Sequence, residues 1–140
     1  MLSTVRKFIM YRGSCLCQCV KFEIRGDLTA VGHCHCSKCR KVSGTGSNAV
    51  AYAAPEHLAW TSGEEHIRKF DFPDGWSSTF CANCGSPLPQ THGEQPICFV
   101  PAGVLDDDPG PEVMGHIYVG SKASWDTICD DAPQFEENIT

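Results

Sequence analysis

A chain of 140 residues is enough for one domain with a real core, and its 41% hydrophobic and 20% charged content is ordinary for a soluble globular protein. A net charge of -6 with no extended basic patch argues against nucleic acid as a partner. No stretch approaches the roughly 20 apolar residues of a membrane span, and Met1–Tyr11 lacks a signal-peptide apolar run, so a cytoplasmic location with reduced thiols is expected.

Along the chain, Val20, Phe22 and Ile24 alternate with Lys21, Glu23 and Arg25, the pattern of a half-buried strand. Cys15 and Cys17 precede it with the same parity, which would place both thiols on one strand face. Further strands are expected at Ser47–Ala53, Arg68–Phe72, Ser78–Phe80, Ile97–Val100 and Ile117–Val119. Thirteen Gly and nine Pro, with breakers at Pro55, Gly63, Pro73-Asp74-Gly75 and Pro109-Gly110-Pro111, favour short strands joined by turns. Helix signals are weak, with only short turns expected at Pro55–His57 and Lys122–Trp125. The fold class is therefore mainly β, a single domain over residues 1–140 with its core at about 11–128 and peripheral termini.

Seven of the ten cysteines fall into three clusters: Cys15-Leu-Cys17, Cys34-His-Cys36-Ser-Lys-Cys39 and Cys81-Ala-Asn-Cys84. In a reduced compartment such spacing reads as metal ligation rather than as disulfides. The outer clusters supply four thiolates, a full tetrahedral set that would close a structural zinc site and staple an early segment to one past mid-chain. A lone Cys-x-x-Cys could instead be a redox pair at a helix start, but Pro87 and Pro89 follow at once and disfavour that helix. Gly85 fits a tight turn of positive φ just past Cys84.

The middle cluster supplies three thiolates, one short of a tetrahedron, as expected for a zinc that exchanges its fourth ligand. The unequal spacings fit two mononuclear ions, hence two zinc per chain, better than an iron–sulfur cluster. Alternation points His33 and His35 away from the metal, as flanking residues. Lys38, Arg40 and Lys41 form the one local basic run. Its ordinary role is a solvated turn, but beside an open metal it is the first place to seek a recogniser of an anionic ligand. Gly44-Thr45-Gly46 follows, a small-residue loop that could approach a substrate or donate to an oxyanion. Tyr52, His57 and His92 are remote candidates for proton transfer, Cys98 reads as a core residue and Cys129 as a free thiol.

These ordered motifs resemble the glutathione-dependent formaldehyde-activating enzyme family, also called centromere protein V-like. The resemblance rests on Gly13-Ser-Cys15-Leu-Cys17, on His33-Cys34-His-Cys36-Ser-Lys-Cys39 and on Phe80-Cys81-Ala-Asn-Cys84-Gly85. It continues through Pro101-Ala-Gly103 to His116-Ile-Tyr-Val-Gly-Ser-Lys122-Ala-Ser-Trp125. It implies a zinc-bound β-tent, several short antiparallel sheets tied by the four-cysteine zinc. It maps Cys15, Cys17, Cys81 and Cys84 onto the structural ligands and Cys34, Cys36 and Cys39 onto the catalytic ones. The implied activity is that of a carbon–sulfur lyase joining a small thiol such as glutathione to an aldehyde such as formaldehyde. The alternative is a non-catalytic zinc scaffold for a protein partner. One departure stands out: Gln18-Cys19 occupies the place where the family usually has Gly and a small residue. The sequence carries no signal for an oligomeric state.

Overall fold

A computed structural model describes residues 9–91 and 95–139. Among these, the strands are β1 (Tyr11–Ser14), β2 (Lys21–Ile24), β3 (Val31–Cys34), β4 (Asn48–Ala53), β5 (Leu58–Ser62), β6 (Ile67–Asp71), β7 (Ser77–Cys81), β8 (Cys98–Pro101) and β9 (Val113–Ile117), with one α-helix, α1 (Ser37–Ser43). They form three small sheets: β1-β2-β5, β8-β4-β3-β9 and the hairpin β6-β7. Every pairing is antiparallel except β3 with β9, which run parallel. No described helix is long and apolar enough to cross a membrane.

The alternation in β2 buries Phe22 and Ile24 completely and leaves Lys21 in solvent. Phe22 and Ile24 meet Ala53, Cys98 and Val100 in one core cluster, so Cys98 is the core residue its neighbours suggested. Cys15, Val20, Cys81 and Leu88 form a second cluster. Trp60 packs against both, its ring edge-on to Phe22 at 6.0 Å. A fully buried aromatic contributes about 2–3 kcal/mol of transfer free energy, so the Phe22–Trp60 pair carries much of the contact between the central core and the cysteine end.

Several elements depart from the sequence expectation. Strands β1, β3 and β5 and helix α1 were not anticipated, and β9 lies upstream of the expected Ile117–Val119. Its sequence, Val-Met-Gly-His-Ile, has no polar–apolar alternation to mark it as a strand, yet both of its edges are bonded. Along one edge runs β3, and along the other the segment after residue 128. His116 N–H donates to Pro133 O at 2.8 Å and Phe135 N–H to His116 O at 2.9 Å. The C-terminal segment expected to be peripheral is thus bonded to the largest sheet. The Pro55–His57 turn is present as a single 3₁₀ turn, and Asp126 N–H closes a turn onto Ala123 O at 3.1 Å.

Candidate metal centres and the cavity beside them

The outer cysteines converge from two turns. Cys15, Leu16 and Cys17 lie in a turn after β1, not on a strand face as parity suggested; Gln18 N–H donates back to Cys15 O at 2.9 Å. The turn needs Gln18 in the left-handed region at φ 64°, where a side chain is disfavoured. This is the place where the resemblance implies glycine. The second turn closes after β7, where Gly85 N–H bonds Cys81 O at 2.7 Å and Cys81 N–H bonds Ser86 O at 2.9 Å. Gly85 sits at φ 80°, as the sequence required.

The four sulfurs lie within 4.8 Å of one another. The Cys15–Cys17 and Cys17–Cys81 Sγ separations are 3.5 and 3.9 Å. Four sulfurs at ~2.3 Å from one ion in a tetrahedron lie about 3.8 Å apart. Such spacing fits a single zinc and leaves no room between the thiols for a multi-iron cluster. Surrounding donors are set for anionic sulfur. Val20 N–H points at Cys15 Sγ at 3.3 Å. The Ser86 hydroxyl and N–H hold the Cys84 thiol down to about 5, while burial pushes Cys15 up to about 11. Cys19 stands beside the set, with Asn83 Nδ2 donating to its sulfur at 3.6 Å, and is not one of the four.

The middle cluster is built by the strand-to-helix junction. Cys34 ends β3, Cys36 is the N-cap of α1, and Cys39 is buried in its first turn. Cys36 Sγ accepts from Cys39 N–H at 3.4 Å, a thiol capping the helix as Ser or Asp usually does. At the other end Gly44, at φ 69°, donates its N–H to Arg40 O at 2.8 Å. The three sulfurs lie within 4.8 Å of one another, and among the described residues no fourth His, Cys, Asp or Glu joins them. A hydrogen bond from the Cys39 thiol pulls Cys34 down to about 6, and the same bond, then burial, pushes Cys39 well above the ordinary thiol range. Of this pair Cys34 ionises readily and Cys39 holds its proton, so a Cys39 thiolate calls for a cation beside it.

His33 and His35 do point away from the sulfurs. They form a buried chain with β9: His35 Nε2 meets His116 Nδ1 at 2.8 Å, and His116 Nε2 meets the Asp130 carboxylate at 3.0 Å. A proton on His116 Nε2, facing the Asp130 carboxylate, leaves Nδ1 bare to accept from His35 Nε2–H, while His35 Nδ1 faces the Asp126 carboxylate at 3.4 Å. His33 stacks on His116 at 5.0 Å and bonds the Ser47 hydroxyl at 2.8 Å. Burial, then the neighbouring imidazole of His116, lowers both His33 and His35.

Cys34 and Cys39 open into a cavity of about 590 Å³. Its apolar wall comes from Val50, Tyr52, Phe99 and Ile117, its amides from Asn48, Gln90 and Gln95, and its rim from Lys38, Asp74 and Trp76. Of the three basic residues, only Lys38 lines it. Arg40 and Lys41 do not, and the Gly44–Gly46 loop also lies elsewhere. Gly44 is exposed, whereas Gly46 is buried so closely against Asp126 that a Cβ would stand 2.4 Å from its carboxylate oxygen. Tyr52, only a remote candidate in the sequence, lines the cavity; burial first, then the Cys34 and Cys39 thiols, raises its hydroxyl. His57 packs against Gly26, away from the cavity, and His92 lies outside the described residues. Cys129 is exposed, its thiol 3.5 Å from Thr127 O.

The family model described as glutathione-dependent formaldehyde-activating enzyme matches residues 10–121. A Halomonas elongata protein named, provisionally, a glutathione-dependent formaldehyde-activating enzyme is 29% identical over 125 residues, 84% of this chain and 80% of its own length. The crystal structure of a Rhodobacter sphaeroides protein shares the fold with a TM-score of 0.57 at 24% identity, covering 68% of this chain and 87% of that one. With both cysteine clusters assembled inside the matched region, the chain belongs to the glutathione-dependent formaldehyde-activating enzyme family.

Proposed function

We propose that the protein is a cytoplasmic, zinc-dependent carbon–sulfur lyase of this family, joining a small thiol such as glutathione reversibly to an aldehyde such as formaldehyde. The observation that carries the reading is the set of three sulfurs, Cys34, Cys36 and Cys39, with no fourth described ligand, opening on a cavity large enough for a peptide-sized thiol. Cys15, Cys17, Cys81 and Cys84 would hold a structural zinc, and Cys34, Cys36 and Cys39 a second one. When bound there, zinc lowers the pKa of an incoming thiol, making thiolate available at neutral pH.

The chain's own residues supply the rest. The cavity receives the thiol with its sulfur toward Cys34 and Cys39 and shields it against Val50, Phe99 and Ile117. In the addition, the thiolate sulfur forms a bond to the aldehyde carbon, the carbonyl π pair moves to oxygen, and that oxygen takes a proton. Tyr52, a cavity-lining hydroxyl kept protonated by its burial, supplies that proton in place of the glycine loop, and the proton the thiol released on ionising restores it. In the reverse direction the adduct's hydroxyl returns its proton to the Tyr52 phenolate as the carbon–sulfur bond breaks and the thiolate leaves.

Glutathione and formaldehyde combine reversibly without a catalyst, so the test is an exchange rate above that background. Two-dimensional NMR exchange spectroscopy of glutathione, formaldehyde and their adduct should show faster interconversion with wild-type protein. Cys39→Ala should return the rate to background, and Tyr52→Phe should lower the enhancement by roughly ten- to a hundredfold. Equal rates for wild type and Cys39→Ala would remove the enzymatic reading in favour of a scaffold.

A further inference from the structure

The rim of the cavity carries a feature that the addition itself does not use. Lys38, on the first turn of α1, forms an ion pair with Asp74 at the tip of the β6–β7 hairpin. Of the described lining residues, these two alone can carry a full charge at neutral pH besides the thiols. The tip is a built turn: Gly75 N–H donates to Phe72 O at 3.1 Å, and Trp76 N–H donates to Asp74 Oδ1 at 3.0 Å. That second bond orients the carboxylate independently of Lys38. The ammonium also lies 5.7 Å from the centre of the Phe72 ring, which keeps it at the rim.

We propose that Asp74 and Lys38 together read the α-amino-acid end of the thiol substrate, Asp74 taking its ammonium and Lys38 its carboxylate. The inference rests on the thiol reading above and adds which charged end of the ligand is recognised and by what. An α-amino acid presents a cation and an anion on one carbon, which is the complement of a lysine and an aspartate already in contact. Both side chains remain substantially exposed, 39% for Lys38 and 52% for Asp74, and an exposed pair contributes little to stability. Opening it to admit a zwitterion therefore costs the protein little, and each charge keeps a partner afterwards. A carboxylate-only ligand would leave Asp74 beside it with its cation withdrawn, so the pair disfavours simple acids as well as favouring zwitterions.

Calorimetric titration of the zinc-loaded protein with four thiols tests this: glutathione, N-acetylglutathione (no ammonium), glutathione dimethyl ester (no carboxylates) and 2-mercaptoethanol (neither). Asn at position 74 can still accept from Trp76 N–H, so Asp74→Asn is expected to keep the turn. The decisive quantity is the preference for glutathione over its N-acetyl form. Freeing Lys38 affects both ligands alike and cancels in that ratio. We expect a wild-type preference of about tenfold that falls to near one in Asp74→Asn. In Lys38→Gln we expect the preference for glutathione over its dimethyl ester to fall likewise. An Asp74→Asn ratio equal to wild type, with all thiols still binding, would overturn the amino-acid reader alone. Failure of every thiol, 2-mercaptoethanol included, to bind the wild type would overturn the thiol reading and this inference with it.

Discussion

His35 Nε2 and His116 Nδ1 stand 2.8 Å apart with both rings almost wholly buried, at 1% and 4% exposure. The contact ties the residue between two candidate zinc ligands, Cys34 and Cys36, to β9 and, through Asp130, to the C-terminal segment. A ligand loop needs such support, because ligands left to wander lose both geometry and affinity.

His33 and His35 should resist protonation. His33 and His35 both fall below the ordinary value of 6.5, burial being the first cause and His116 the next. A group whose folded pKa is depressed contributes stability that is complete above the unfolded value, here 6.5, and is lost as pH falls toward the folded one. Side-chain NMR of the zinc-loaded protein should place both titration midpoints below 6.5, with thermal stability declining as pH is lowered from 6.5. Midpoints at or above 6.5 would contradict the buried neutral chain.

The two cysteine sets should differ in what they hold up. Cys81 is fully buried between Cys15, Val20 and Leu88, and its site joins two turns far apart in sequence. Cys81→Ser should cost at least about 3 kcal/mol or prevent folding, since metal binding there is folding free energy. Cys39→Ser should remain folded and retain one zinc rather than two, measured by elemental analysis. Equal loss of melting temperature in both variants would contradict the division.

Gln18 occupies a left-handed position at φ 64° that its turn imposes. Replacing it with glycine should raise stability in urea by about 0.5–1 kcal/mol, since the relieved strain of ~1–2 kcal/mol is partly offset by glycine's greater unfolded freedom. A loss of stability would mean that the Gln18 side chain makes a contact worth more than the strain.

Much of this was legible in the sequence, and for identifiable reasons. Alternation at Phe22 and Ile24, the turn glycine at 85 and the three cysteine clusters are local patterns, and each appears as expected. Helix α1 was not, because seven residues carry too little apolar periodicity to register. Its signals were a thiol cap at Cys36 and the stop at Gly44 with Arg40 and Lys41 in the last turn, features that also describe a plain loop. The cavity was illegible because it is assembled from α1, β4, the β6–β7 tip and β8, and Asp74 looked like any Pro-Asp-Gly turn. Arg40 and Lys41 were singled out by proximity in sequence, and a helix turns successive residues to different faces. Tyr52 reaches the cavity because β4 lies between β3 and β8 in the central sheet.

The three-cysteine centre is expected to accept a thiol sulfur, and the four-cysteine centre is not. Protein reconstituted with cadmium-113 in place of zinc should give two metal resonances, one of which is lost in Cys39→Ser. Adding glutathione should shift that resonance toward the position of the four-sulfur site and leave the other unmoved. Two unmoved resonances, or a shift confined to the signal that survives in Cys39→Ser, would contradict the account.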